Sequence, residues 1–206
     1  VGSQGDGTAQ FIVPDEKAQD EVIRILERDL KVECLKLLIP AGKKLRKAVI
    51  PAAGFGTRLF PATKGLKKEF FPIVDNAGRV KPVILLIVEE ALRAGVEEVA
   101  IIIQKEDQNI FEEYFHRPPS VSHYNKLSDE NKAYSNYLLE LGRKITFLPQ
   151  ETQEGFGHAV YCAKEWVNDE AFLLLLGDHL YASNNNISCS AQLVQLYEKS
   201  RKSVVG

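Results

Sequence analysis

Methionine is absent from the sequence, and the first residue is Val1. That combination predicts a chain that has been processed, trimmed or given only in part. Cysteine is scarce: Cys34, Cys162 and Cys189 are odd in number and show no CxxC spacing. Reduced thiols in a cytoplasmic protein are the expectation that follows. No apolar run reaches membrane-spanning length, and the amino terminus carries no signal-peptide pattern, so no membrane partner is expected. A formal net charge of −2 gives no general pull toward nucleic acid or an anionic bilayer. Any anion site must therefore be local. Two familiar phosphate loops are also missing. "GFGTRL" carries Leu59 where the third glycine of GxGxxG should stand, and no GxxxxGK followed by Ser or Thr occurs. A dinucleotide oxidoreductase and a P-loop enzyme are poor fits.

What is present is an ordinary globular composition, 45% hydrophobic and 26% charged over 206 residues. Residues 1–9 are small and polar and read as a loose tail. The segment "DEKAQDEVIRILERDLK" has apolar residues at helical spacing, and "VECLKLLI" reads as a strand. Residues 1–46 thus form a small α/β extension of unread role. The basic run Lys43, Lys44, Arg46 and Lys47 reads as a solvated turn rather than an anion surface.

From Lys47 strands alternate with helices. "KAVIPA", "EEVAIII", "KITFLP" and "AFLLLLGD" are strands with little polar relief. "KPVILLIVEEALRAG", "EDQNIFEEYF", "NKAYSNYLLELG", "GHAVYCAKEWV" and "SCSAQLVQLYEKSRK" are helices, and "SVVG" begins a further strand. Continuous apolar strands between amphipathic helices predict a doubly wound, mostly parallel α/β sheet covered on both faces. No internal repeat is found.

Gly54 and Gly56 directly follow the first buried strand, where such a sheet presents its ligand crevice. Glycine allows positive φ and lets backbone N–H groups approach phosphate oxygens, and Arg58 adds a forked donor. Taken alone, the loop also reads as a tight turn without a ligand. Asp178 ends an apolar strand, where a carboxylate suits Mg²⁺ or merely caps the strand. Gln150, just past another strand, offers an amide for a base edge or sits plainly on the surface. His116, His123 and His179 lack metal-ligand spacing, and His158 reads as structural. Tyr181 is open between packing and a sugar-side role, and Trp166 with Phe172 reads as core.

The stretch "AAGFGTRLFPATKGLKKEFFPI" resembles the signature of the sugar nucleotidyltransferases, through Gly54, Gly56, Thr57, Arg58, Pro61, Thr63, Lys68, Glu69, Pro72, Lys81 and Pro82. "PQETQEGFGHAV" and "LLGDHLY" agree with the family in order and distance. Within it, "PATK", the Lys68–Glu69 pair and "GFGHAV" most resemble the bacterial UTP–glucose-1-phosphate uridylyltransferases. The sequence departs from the pattern at Lys67, where proline usually precedes the Lys-Glu pair, and has extra residues in "DNAGRV".

The resemblance implies a Rossmann-like nucleotidyltransferase fold whose nucleotide-binding portion is residues 47–206. It implies in-line attack by a sugar-1-phosphate on the α-phosphorus of UTP, giving UDP-glucose and pyrophosphate with Mg²⁺. In that scheme Arg58 and Lys68 hold the triphosphate, and Asp178 holds the metal. Ala53, Gly54, Gly56, Thr57, Glu69, Gln150 and Gly155 bind the nucleotide. Family members run on past the equivalent of Gly206, so a chain stopping mid-domain is expected. Its sugar-phosphate ligands and second metal carboxylate would then lie beyond that point. Another nucleotide and sugar-phosphate pair, such as one using dTTP, is the rival within the family. A nucleotide-binding fragment inactive on its own is the rival outside it. No nucleic-acid partner is implied, and self-association is open.

Overall fold

The computed structural model describes residues 44–184 and 186–206. The helix and strand expected within residues 1–43 lie outside the described residues.

Four strands form a parallel sheet: Lys47–Pro51 (β1), Glu98–Gln104 (β4), Ile145–Gln150 (β5) and Phe172–Leu174 (β6), in the order β5-β4-β1-β6. Between β1 and β4 lies an antiparallel ribbon, Pro72–Val74 (β2) and Val80–Pro82 (β3), which leads into helix Val83–Arg93 (α1). Helices Gln108–Phe115 (α2), Val121–Tyr124 (α3) and Asp129–Gly142 (α4) connect β4 to β5. Phe156–Tyr161 (α5) and Lys164–Val167 (α6) connect β5 to β6, and Cys189–Ser200 (α7) follows.

The period-two pleat of β1 divides its side chains between two cores. Ala48 and Ile50 join the larger core with Ile84, Val88, Phe111 and Phe115, from α1 and α2. Val49 faces the other way and meets Ala159, Ala163 and Val167 from the α5–α6 segment. Helices therefore cover both faces, as expected of a doubly wound sheet. Helix α1 shows why: Val83, Ile84, Ile87, Val88 and Ala91 fall on one buried stripe. It stops at Ala94, followed by Gly95 at φ 93°.

Three local expectations are corrected. The helix expected over residues 157–167 is two pieces, because the Ala163 amide reaches back three residues to the Val160 carbonyl rather than four. "SVVG" forms no strand: residues 203–206 pair with no described strand, although Val204 packs on the larger core. Lys47 is not solvated. It is 7% exposed, and its ammonium donates to the carbonyls of Trp166 (2.9 Å) and Val167 (3.1 Å) and pairs with Glu170 (3.0 Å). It thus adds a donor to carbonyls at the end of α6, of which that of Val167 also accepts from the Glu170 amide. The paired part of β6 is also short, since beyond Leu174 only Leu175 and Gly177 still bond to β1.

Candidate functional site

Chain order runs outward from β1 to β4 and β5, then returns to place β6 on the other side of β1. The carboxyl ends of β1 and β6 thus flank the point where winding reverses, which is where open α/β sheets bind ligands.

The loop leaving β1 is held rigidly at its root. Ala52 donates to the Ile102 carbonyl at 2.7 Å, and the Ala53 carbonyl accepts from the buried Gln104 amide at 2.6 Å. Gly56 then takes φ 66°, and a Cβ there would lie 2.8 Å from the Thr63 methyl. Glycine is needed on both counts. The Thr63 hydroxyl donates to the Gly56 carbonyl at 3.1 Å and closes the loop. No hydrogen bond to a described residue uses the N–H groups of Gly54, Phe55 or Gly56. Exposed amides on a turn with positive φ form an anion-binding concavity. Beside them an open cleft of about 450 Å³ is lined by Phe55, Thr57, Phe60, Thr63 and Lys64.

Lys68 enters from the 3-10 turn Lys68–Phe70. That turn is anchored by Phe70, whose ring meets Phe111 edge-on at 4.9 Å in the larger core. The Lys68 ammonium lies beside Gly54 and donates to Asp178 Oδ2 at 2.7 Å. A residue from the loop after β1 thus meets one from the loop after β6. Burial opposes the charge on Asp178, but the hydrogen bond and charge of Lys68 prevail and hold its carboxyl below the usual carboxylate range. The adjacent Lys67 is directed elsewhere, to Asp107 at 2.5 Å.

The other expected residues are spread around this pair. Arg58 and Thr57 are exposed, and the Arg58 guanidinium bonds no described residue. Glu69 lies beneath the crevice, fully enclosed, with its Oε1 3.5 Å from Lys68 Nζ. Gln150 ends β5, two strands from β1, and is 3% exposed. Its amide nitrogen already donates to the Gly155 carbonyl (3.3 Å) and contacts His158 Nδ1 (3.0 Å). Gly155 has φ 93° and opens α5. His158, structural by its sequence context, stands against the candidate base-binding amide. Tyr181 is exposed and so is not a packed core aromatic. Gln104 escapes sequence reasoning altogether; its only signal is a polar residue closing an apolar strand.

The profile of the nucleotidyl transferase family matches residues 47–204. The chain belongs to that family. Two curated relatives are UTP–glucose-1-phosphate uridylyltransferase 2 of Staphylococcus saprophyticus, 40% identical over 168 residues, and the corresponding enzyme of Bacillus subtilis, 40% identical over 170. Each alignment covers 80% of this chain and 54% of the relative, so the chain spans about half their length. Among solved structures, apo UDP-glucose pyrophosphorylase matches with a TM-score of 0.63 and 33% identity, covering 76% of this chain and 56% of that one. UTP-bound UGPase from Acinetobacter baumannii matches with a TM-score of 0.61 and 31% identity, covering 76% and 54%. The family resemblance drawn from the three sequence blocks is borne out. Among the described residues no helix is long and apolar enough to cross a membrane.

Proposed function

We propose that the full-length protein is a UTP–glucose-1-phosphate uridylyltransferase, forming UDP-glucose and pyrophosphate by in-line attack on the α-phosphorus of UTP. The observation that carries this reading is the Lys68–Asp178 contact at the switch point, which gathers a cation and a carboxylate beside open backbone amides. Both reactants are anions, so the protein's work is alignment and charge neutralisation rather than covalent catalysis. In this scheme Lys68 and Arg58 meet the triphosphate and the departing pyrophosphate. Ala53, Gly54, Gly56 and Thr57 cradle phosphate and ribose, Gln150 and Gly155 read the uracil edge, and Glu69 contributes through Lys68. Residues 47–206 make up the nucleotide-binding portion and residues 1–46 an extension before it.

Asp178 suits Mg²⁺. No group of three or more His, Cys, Asp and Glu side chains converges among the described residues, which disfavours an all-protein metal cage. Mg²⁺ needs only one or two carboxylates when water and phosphate complete its shell. Bound there, the ion would neutralise phosphate charge. Gln150 must release Gly155 or His158 to donate to a base, whereas its amide oxygen bonds no described residue and can accept from one without rearrangement. The cytoplasm is the implied compartment, in keeping with the free thiols of Cys162 and Cys189.

The test is pyrophosphate release by the full-length protein across a panel of nucleotides and sugar phosphates. Highest turnover with UTP and glucose-1-phosphate supports the proposal. A clear preference for dTTP would sink the choice of nucleotide, and no release from any pair would sink the reaction itself.

A further inference from the structure

Glu69 is the most unusual side chain among the described residues. It has no exposed surface, and neither carboxylate oxygen has a hydrogen-bond partner among those residues. A buried carboxylate without donors is costly, and such a group calls for an explanation. The Lys68 ammonium lies 3.5 Å from Glu69 Oε1 and 2.7 Å from Asp178 Oδ2. One ammonium therefore stands between two carboxylates: Asp178 at the crevice, with 30% of its side chain exposed, and Glu69 sealed behind it. The remaining charges around this turn are Lys67, which also acts on Glu69, and Asp107 beyond it, from the turn after β4.

We propose that Glu69 is a positioning residue for Lys68, a sealed second counter-charge that keeps the ammonium aimed into the crevice once Asp178 is drawn to a cation. The inference rests on the nucleotidyl-transfer reading for what Lys68 meets there. Fixing a lysine costs side-chain entropy, so an ammonium losing its only partner would become free to wander. Glu69 prevents that, and its enclosure protects the attraction from solvent and salt. The 3.5 Å separation leaves the ammonium room to move from one carboxylate toward the other. Burial pushes the Glu69 carboxyl up to about 7 despite the opposing pull of Lys68 and Lys67, so this counter-charge is strengthened as pH rises through neutrality.

The experiment is a double-mutant cycle of Glu69→Gln and Lys68→Ala in the full-length protein, with UDP-glucose and Mg²⁺ as probe. The diphosphate of UDP-glucose is doubly esterified and has no group that titrates near neutrality. About a unit above neutral pH, Glu69→Gln should weaken UDP-glucose binding about tenfold, and by about twofold at most once Lys68 is already alanine. Equal losses in both backgrounds, or none in the single variant, would overturn the proposal. The same cycle followed by denaturant unfolding without ligand gives an independent answer. Lys68→Ala should lower stability far more in the otherwise unsubstituted protein than in the Glu69→Gln variant, and equal losses would again overturn the pairing. Absence of UDP-glucose binding by the unsubstituted protein would count against the nucleotide reading instead, leaving the unfolding cycle to decide the positioning role.

Discussion

The side-chain amide of Gln104, closing β4, donates at 2.6 Å to the carbonyl of Ala53, at the root of the glycine loop one strand away. Both groups are buried, so neither has water as an alternative partner. Gln104→Ala should therefore cost about 1–3 kcal/mol of stability by stranding that carbonyl. It should also loosen the loop amides and weaken UTP binding. Urea unfolding and calorimetry check the two effects, and unchanged affinity would confine Gln104 to a structural role.

The adjacent lysines should respond differently. Lys68→Ala removes a charge-assisted contact to a group whose negative charge grows as pyrophosphate leaves, and turnover should fall about 10²–10³-fold. Lys67→Ala strands Asp107 instead, so the loss should appear mainly in stability. Turnover and melting measured on both variants separate the two roles. A Lys67→Ala defect in turnover as large as that of Lys68→Ala would reverse the assignment.

Asp178→Asn keeps side-chain size but removes the charge needed for a hard cation, and also weakens the partner of Lys68. Activity should collapse, with only partial recovery in added Mg²⁺, while the melting temperature changes little. Retained turnover with ordinary Mg²⁺ dependence would reduce Asp178 to a strand-end cap.

Glu69 also predicts a pH signature in stability. The unfolded chain releases this proton near the ordinary value of 4.5, whereas the folded protein holds it to about 7. The folded state binds more protons across that window. The stabilisation is thus full below 4.5 and is lost as pH rises to about 7. Glu69→Gln should flatten this slope and gain up to roughly 3 kcal/mol over the unsubstituted protein above the window. Unfolding curves recorded from acid to mildly alkaline pH, one variant subtracted from the other, isolate the effect. Parallel curves would mean that Glu69 titrates alike in the folded and unfolded chains.

Much of this architecture is legible in the sequence because burial leaves periodic marks. Uninterrupted apolar runs at 48–51 and 99–103 betray strands covered on both faces, and α1 shows its stripe openly. The meeting of Lys68 with Asp178 is expected only through the family blocks, since periodicity alone says nothing of which loops converge across 110 residues. The misses have the same root. Lys47 and Gln104 are polar residues whose burial depends on distant partners, the α6 carbonyls and the Ala53 carbonyl. The break at Cys162–Ala163 depends on local hydrogen-bond spacing that an amphipathic pattern does not record.

The position of β1 in the middle of the sheet bears on how the protein is made. Lys47 pairs with Glu98 on one side and with Phe172 on the other, so the first of these strands to leave a ribosome waits longest for its second neighbour. Until residues near 172 emerge, one edge of an apolar strand stands open, the kind of edge that recruits other chains. Closing so long a loop is slow relative to local helix formation. The crevice between β1 and β6 is accordingly the last part to assemble. Pulse-labelled hydrogen exchange during refolding should find the Leu175 amide, bonded to Val49, protected after the amides of α1. Nascent chains halted before β6 should need chaperones that complete ones do not.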